Sequence, residues 1–221
     1  MVRAVRAGVT IVWLFAFVPT PARAEVAVGI TGGVLFAGDQ DLAFSGTQQR
    51  VHPSPGPLGG LTVTAWGHPW LRLGFQLDVV HWENSAETDR QAAQPARLAI
   101  DQARTALLVS VLGRLPLGGD SGPFLYGGLS GGAVYSGVSH GGEGLGPAVG
   151  LLGGLAVPLT SRLRVRAEVR YLLLHDVDHT RGPGLRVETS GTARGNVGHV
   201  VFGPHLDDRI FPVLLGVDWV F

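Results

Sequence analysis

The sequence lacks cysteine, and that absence excludes several kinds of protein at once. A chain without cysteine has no disulfide framework, no thiol nucleophile and no cysteine-ligated zinc site. Lysine is also absent, so all 17 basic residues are arginine, and 17 acidic residues balance them. Nucleic-acid-binding domains need a clustered basic excess, which this balance does not provide. We therefore expect no nucleic-acid partner and no cysteine-based chemistry.

Long apolar runs are the second absence. A transmembrane helix needs about 20 consecutive apolar residues, and no segment of the chain reaches that length. The amino terminus instead carries Arg3 and Arg6, a short apolar run and a small-x-small site at 22–24. This pattern predicts a cleaved secretory signal peptide over 1–24. The remainder, 25–221, is long enough for one exported domain.

The chain is instead rich in glycine, with 34 residues, and it repeatedly alternates apolar side chains with others. Alternation with a period of two predicts β-strands, and helical periodicity is nearly absent. In the clearest case, 162–173, Leu, Val, Ala and Tyr alternate with Arg and Glu. We predict eight strands, at about 26–36, 58–66, 70–82, 100–115, 124–138, 147–159, 162–173 and 210–221.

Long and short connections alternate between these strands. In transmembrane barrels the long loops face outward and the short turns face the periplasm, and strands of about 10 residues cross the membrane when tilted. The sequence therefore predicts an all-β fold, an eight-stranded antiparallel up-and-down transmembrane β-barrel with both termini on the periplasmic side. The long connections, expected to be external loops, are about 37–57, 84–97, 139–146 and 176–209.

The last strand ends in a Gly-x-x-aromatic-x-aromatic pattern formed by Gly216, Trp219 and Phe221. With the glycine-rich segment 150–155 and the Arg/Glu strand 162–171, this pattern resembles the small eight-stranded outer-membrane barrels of the OmpA/OmpX-like or opacity-protein type. The resemblance covers essentially the whole predicted mature chain. It implies a place in the outer membrane of a Gram-negative-type bacterium, with lipid, periplasmic chaperones and the barrel-assembly machinery as partners. In that family the terminal pattern is the assembly signal.

Charged residues of both signs lie opposite the apolar faces of the predicted strands. The interior of an eight-stranded barrel is just wide enough for side chains, and a buried charge without a partner is costly. We therefore predict an ionic network that fills the barrel, centred on Arg166, Glu168 and Arg170. Its predicted members are Arg72, Asp78, Arg114, Arg164, Arg166, Glu168, Arg170 and Asp218.

Aromatic residues cluster near the predicted strand ends. Trp66 and Trp70 flank the first short turn, on the side where the last strand ends, whereas Trp82 and Tyr135 lie near the opposite ends of their strands. Two aromatic belts at these levels are typical of the two membrane interfaces. We predict that these four residues are interface anchors.

The segment His175-Asp176-Val177-Asp178-His179 is the sharpest cluster of possible metal ligands. Two histidines and a carboxylate could hold zinc or nickel if the segment turned back on itself. On an extended strand the histidines and the aspartates lie on opposite sides and do not converge. We therefore interpret the segment as a polar transition from strand to loop and predict no metal and no cofactor.

No catalytic constellation is evident in the sequence. A Gly-x-Ser-x-Gly elbow is absent, and the serines near His140 and Glu143 are out of order for a lipid-deacylating site. We predict a non-enzymatic barrel of structural or surface-display type whose loops meet the environment. Three alternatives stay open: a narrow small-solute channel, a lipid-modifying enzyme, and a soluble periplasmic carrier of the lipocalin type with its apolar face inward. The sequence does not identify a ligand for the loops.

Overall fold

The computed structural model describes most of the chain beyond the predicted signal peptide. Residues 1–24 and Trp70 lie outside the described part, so neither the signal peptide nor that tryptophan is tested. Among the described residues, no helix has the length and apolar character needed to cross a membrane. The described residues are 25–38, 40–44, 47–67, 72–88, 99–119, 121–138, 143–174, 178–181, 185–187, 198–200 and 208–221.

The described part of the chain forms thirteen strands, eight of them long. In chain order they are β1 (Glu25–Ala37), β2 (Gln40–Phe44), β3 (Thr47–Pro53), β4 (Gly56–Trp66), β5 (Leu73–Thr88), β6 (Ala99–Pro116), β7 (Phe124–Val138), β8 (Glu143–Pro158), β9 (Leu163–Leu174), β10 (Asp178–Arg181), β11 (Leu185–Val187), β12 (Gly198–Val200) and β13 (Asp208–Val220).

The eight long strands close into a barrel. Each pairs antiparallel with its neighbour in the order β1, β4, β5, β6, β7, β8, β9 and β13. The last pairing, between β13 and β1, runs from Ala27 opposite Val220 to Ala37 opposite Ile210. Closure pairs each long strand with a neighbour on both sides, so their backbone groups find partners within the sheet. The predicted eight-stranded antiparallel barrel is confirmed.

The two ends of the barrel differ in their connections. At one end, here called the short-turn end, short turns join β4 to β5, β6 to β7 and β8 to β9, and the chain enters β1 and leaves β13. At the opposite long-loop end, several strands extend further than predicted. β5 continues into the predicted loop 84–97, and β8 begins within the predicted loop 139–146. Pairing satisfies backbone groups whatever the side chains are, so polar sequence does not stop these strands.

The outer surface of the barrel is apolar on every long strand. Ile30, Leu129 and Leu215 are each about two-thirds exposed, and similar side chains surround the barrel. An exposed apolar surface of this extent marks contact with a membrane. A lipocalin-type carrier would point its apolar face inward, so the soluble alternative is wrong, and the fold is that of a transmembrane β-barrel.

The interior contains three layers along the barrel axis. An apolar cluster that includes Trp82 and Leu108 lies toward the long-loop end. An aromatic cluster built on Trp66, Phe124 and Tyr126 lies toward the short-turn end. Charged side chains fill the space between these two clusters. The strands thus carry polar groups inward and apolar groups outward at mid-height.

Inward-facing glycines make room for the largest interior side chains. Gly154 lies opposite Tyr126 in the β7–β8 register, and a Cβ placed there would lie 2.6 Å from the tyrosine ring and hydroxyl and from the Ala167 carbonyl oxygen. Gly216 lies opposite Arg166 in the β9–β13 register, and a Cβ there would lie 2.9 Å from the arginine Nε. Part of the high glycine content therefore serves to seat bulky groups in a narrow barrel.

The close packing of Tyr126 and the β9 backbone against Gly154 can be tested by adding one methyl group. Gly154→Ala is expected to lower the free energy of unfolding by about 1–3 kcal/mol, because extra volume in a filled interior displaces its neighbours. The measurement is urea unfolding of the bilayer-inserted barrel, followed by tryptophan fluorescence.

The neighbouring glycine on the lipid-facing side provides the control. A Cβ at Gly153 would come no closer than 3.8 Å to the Tyr126 carbonyl oxygen, so Gly153→Ala is expected to leave the unfolding curve nearly unchanged. Equal losses in the two variants would contradict the packing role assigned to Gly154.

Candidate functional site

The candidate site is the charged layer in the barrel interior, and β9 supplies most of it. Arg164, Arg166, Glu168 and Arg170 occupy alternate positions of that strand, so all four point to the same face. Each of them is buried. Asp78 from β5 joins them from across the barrel, and the set is completed by Asp218 from β13.

The centre of the layer is an arginine held by two carboxylates. Arg170 Nη2 lies 2.9 Å from Asp78 Oδ2, and its Nε donates to Glu168 Oε1. Asp78 also accepts hydrogen bonds from the Thr62 hydroxyl at 2.7 Å and from Gln76 Nε2 at 3.0 Å. Charge-assisted hydrogen bonds of this kind are stronger than neutral ones. The arginine therefore ties β9 to β5 through the middle of the barrel.

Glu168 connects this centre to the next arginine. Its Oε2 accepts a hydrogen bond from the Tyr126 hydroxyl at 2.8 Å and lies 3.7 Å from Arg166 Nη1. Arg166 Nε in turn lies 3.4 Å from Asp218 Oδ1 on β13. One continuous chain of opposite charges thus crosses from β5 through β9 to β13.

A second group of charges lies at the short-turn end. Glu25, at the start of β1, forms an ion pair with Arg164, and its other oxygen lies 3.9 Å from Arg114 Nη1. The Arg114 guanidinium stands 5.3 Å from the centre of the Trp66 ring and 5.7 Å from that of Phe124. Arg164 stands 4.9 Å from the Phe124 ring. Cation–π contacts therefore supplement ion pairs here.

The formal charges of the two groups cancel. The guanidiniums of Arg114, Arg164, Arg166 and Arg170 face the carboxylates of Glu25, Asp78, Glu168 and Asp218. Burying ions is unfavourable unless they are paired, so each guanidinium of these two groups needs a carboxylate nearby. Glu25 supplies the carboxylate that faces Arg114 and Arg164.

The structure brings together seven of the eight residues predicted for the interior. Arg114 is the most peripheral of these, at the short-turn edge. Arg72 does not join them: it is exposed in the turn before β5, with a φ of 51°. The strand begins one residue later, where the Leu73 carbonyl accepts a hydrogen bond from the Gly67 N–H and closes the turn. The alternation of β5 therefore does not include Arg72, and its predicted place in the interior is wrong.

Other functional residues were not identified from the sequence. Gln76 lies two residues before Asp78 on the same face, and this spacing could have revealed it. Tyr126 lies in a strand so interrupted by glycine that its faces could not be assigned. At the long-loop end, Arg104 Nη2 donates to Gln102 Oε1 at 2.8 Å, and both are buried beside the barrel mouth.

Two of the four predicted interface aromatics lie inside the barrel. Trp66 and Trp82 are each 2% exposed, in the aromatic and the apolar cluster respectively. The prediction that these two tryptophans are membrane anchors is therefore wrong. Trp82 is four residues from the inward Asp78 on β5, so alternation places both side chains on the same face. Tyr135 does face outward, near the long-loop end. On the opposite rim Trp219 is about half exposed.

The predicted cluster of metal ligands falls mostly outside the described residues. His175 and Asp176 are not described, and Asp178 and His179 lie in β10, where the backbone alone is described. Within the described part of the chain, no group of three or more histidine and carboxylate side chains is placed to hold a metal ion. Metal binding by the cluster stays untested.

No protein-family model matches the chain, and no curated protein matches it. Its structure is similar to that of Neisserial surface protein A (NspA), with 14% sequence identity and a TM-score of 0.54 over 89% of this chain and 98% of that one. It is also similar to the outer membrane protein OprG from Pseudomonas aeruginosa, with 16% identity and a TM-score of 0.55 over 91% and 97%.

The chain has the fold of the small eight-stranded outer-membrane barrels. At these identities the likeness extends to the fold alone. No match assigns the chain to the OmpA/OmpX-like or opacity-protein group, so that narrower resemblance remains a prediction.

The geometry of the charged layer favours packing over transport. A cavity of about 10 Å³ lies among Gln76, Tyr126, Arg166 and Asp218, which is room for about one water molecule. The Arg166 guanidinium beside it lies 3.7 Å from Glu168 and 3.4 Å from Asp218. Side chains therefore occupy the lumen at this level.

Removing the central arginine tests the stabilising role of the layer. Arg170→Gln is expected to lower the free energy of unfolding by about 3–5 kcal/mol, because Asp78 and Glu168 are left as buried carboxylates without their shared cation. Urea unfolding in lipid bilayers measures the loss. Arg162→Gln, a change at an exposed arginine just before β9, is the control and is expected to behave like the wild type.

A double-variant cycle separates the ion pair from general damage. If Arg170 and Asp78 act together, Asp78→Asn combined with Arg170→Gln costs less than the sum of the single changes. Strictly additive costs would show that the two residues contribute independently and would contradict the network.

Proposed function

We propose that this protein is a closed, non-enzymatic barrel of the bacterial outer membrane, with a structural or surface-display role. The observation that carries this proposal is the filled interior. Side chains of opposite charge occupy the middle of the lumen, and an apolar cluster closes it toward the long-loop end. A barrel whose lumen is occupied in this way acts through its surfaces.

The proposed orientation follows from the connections. Short turns face the periplasm in transmembrane barrels, and longer loops face outward. Under this assignment the long-loop end meets the environment, and both ends of the chain lie on the periplasmic side. Lipid is the proposed partner of the apolar outer band, which is exposed on all eight long strands.

The carboxy-terminal strand supports a proposed encounter with the barrel-assembly machinery. Trp219 and Phe221 point outward and are 48% and 76% exposed, so their rings are available to another protein before the barrel is surrounded by lipid. Gly216 faces inward against Arg166 and has a packing role instead. Within the terminal pattern, Trp219 and Phe221 are therefore the proposed recognition residues, and Gly216 makes room for Arg166 inside the barrel.

Planar-bilayer recording distinguishes a closed barrel from a narrow channel. The purified protein is expected to give no stable current, because ions would have to cross both the charged layer and the apolar cluster. Arg166→Ala is also expected to give none, since Trp82 and Leu108 still close the lumen toward the long-loop end.

An outer-membrane porin reconstituted in the same way provides the positive control. A steady unitary current from the wild type that changes in Arg166→Ala would establish the channel alternative instead. Separation of inner and outer membranes, followed by electrophoresis with and without heating, checks the proposed location: a heat-dependent mobility shift is expected in the outer-membrane fraction.

A further inference from the structure

The short-turn end of the barrel contains a pocket of about 250 Å³ that the proposed function does not use. Two arginines line it, and their side chains are more than nine-tenths buried: Arg114 is 8% exposed and Arg164 is 7% exposed. Ser121, Thr160 and Ser161 also line this pocket. Buried guanidiniums are the groups that bind oxyanions most directly.

The chain supplies its own anion to this pocket. The Glu25 carboxylate pairs with Arg164 and faces Arg114, and its side chain is 31% exposed, several times more than either arginine. Glu25 lies at the first position of β1, at the rim of the barrel. The carboxylate is therefore the most accessible of the three charges.

One carboxylate does not saturate the two arginines. Arg114 Nη1 is 3.9 Å from the nearest Glu25 oxygen, which is beyond hydrogen-bond distance. Arg114 thus keeps a guanidinium donor that an anion with three or four oxygens could use and that the Glu25 carboxylate does not reach.

The side-chain charges of the two ion-pair groups point to the same pocket. With Glu25 in place, four guanidiniums of these groups meet four carboxylates. Without the Glu25 carboxylate, the guanidiniums outnumber the carboxylates by one, and Arg114 and Arg164 are the two that lose their partner. An uncompensated buried charge is strongly unfavourable. Binding of an anion is therefore favourable when the Glu25 carboxylate has left the pocket.

We propose that the pocket between Arg114 and Arg164 is an oxyanion site that Glu25 occupies in cis. Phosphate or a small carboxylate takes the site when the Glu25 carboxylate is withdrawn. The phosphate group can come from a free ion or from the headgroup of an anionic lipid, since both present the same oxygens to the guanidiniums.

The test is chemical rescue of Glu25→Ala in the folded barrel. In detergent with chloride as the anion, the variant is expected to lose its heat-resistant mobility about 5–10 °C below the wild type. Inorganic phosphate or acetate at the same ionic strength is expected to restore most of that difference. The wild type, whose site is filled, is expected to respond little.

Two further variants make the result specific. Glu83→Ala removes an exposed glutamate at the long-loop end and is expected to show no anion-dependent change. Glu25→Ala combined with Arg164→Gln is expected to lose the rescue, because the anion has one guanidinium fewer to bind. If Glu25→Ala does not fold in chloride, the folded fraction of Glu25→Gln is measured against phosphate concentration, and a saturable rise is expected.

A second experiment, in lipid bilayers, identifies the source of the anion. Glu25→Ala is inserted into phosphatidylcholine bilayers, with or without phosphatidylglycerol, in the absence of phosphate. Rescue by phosphatidylglycerol but not by free phosphate supports a headgroup ligand, and rescue by free phosphate supports a soluble one. The proposal is overturned if neither stabilises the variant, or if anions stabilise the wild type, Glu25→Ala and the Arg164 double variant equally.

Discussion

Closure of the sheet between β1 and β13 is the contact on which the rest of the structure depends. In a membrane, each backbone group needs a partner within the protein, and a sheet meets that requirement when its first strand pairs with its last. Here the pairing extends from Ala27 opposite Val220 to Ala37 opposite Ile210. Once eight strands are closed, the lumen has the width of packed side chains. Every inward residue must then fit a narrow space, and a buried polar or charged group is favoured where a partner lies within reach.

These two demands explain how the interior is organised. Large groups face glycine on the next strand, as Tyr126 faces Gly154, because two bulky side chains at one level would collide. Charged groups face opposite charges, as Arg170 faces Asp78. Breaking such a buried pair costs several kcal/mol, whereas the intact pair adds less than its Coulomb energy suggests. The intact network therefore contributes less stability than the loss on breaking one of its pairs suggests.

The sequence predicted the strands well because alternation is a local property. Parity within β9 places Arg166, Glu168 and Arg170 on one face before any partner is known, and the same parity applied to β5 would have put Trp82 inside with Asp78. Partners across strands are different: the hydrogen bond from Tyr126 to Glu168 depends on the stagger of β7, β8 and β9 around the barrel, which no single strand encodes. The turn that exposes Arg72 depends in the same way on the pairing of β4 with β5.

Because the middle of the barrel is filled and its charges are paired, the ends of the barrel are the places where a ligand could bind. At mid-height each charge has a buried partner of opposite sign, so there is little reason for a solute to displace one. At the short-turn end the Glu25 carboxylate is part exposed and its two arginines are not, so the anion can leave while the cations stay fixed. Fixed, buried cations with a removable anion form a binding site even when the chain itself fills it. The ion pairs that stabilise the barrel therefore include one, between Glu25 and Arg164, whose carboxylate another anion can replace.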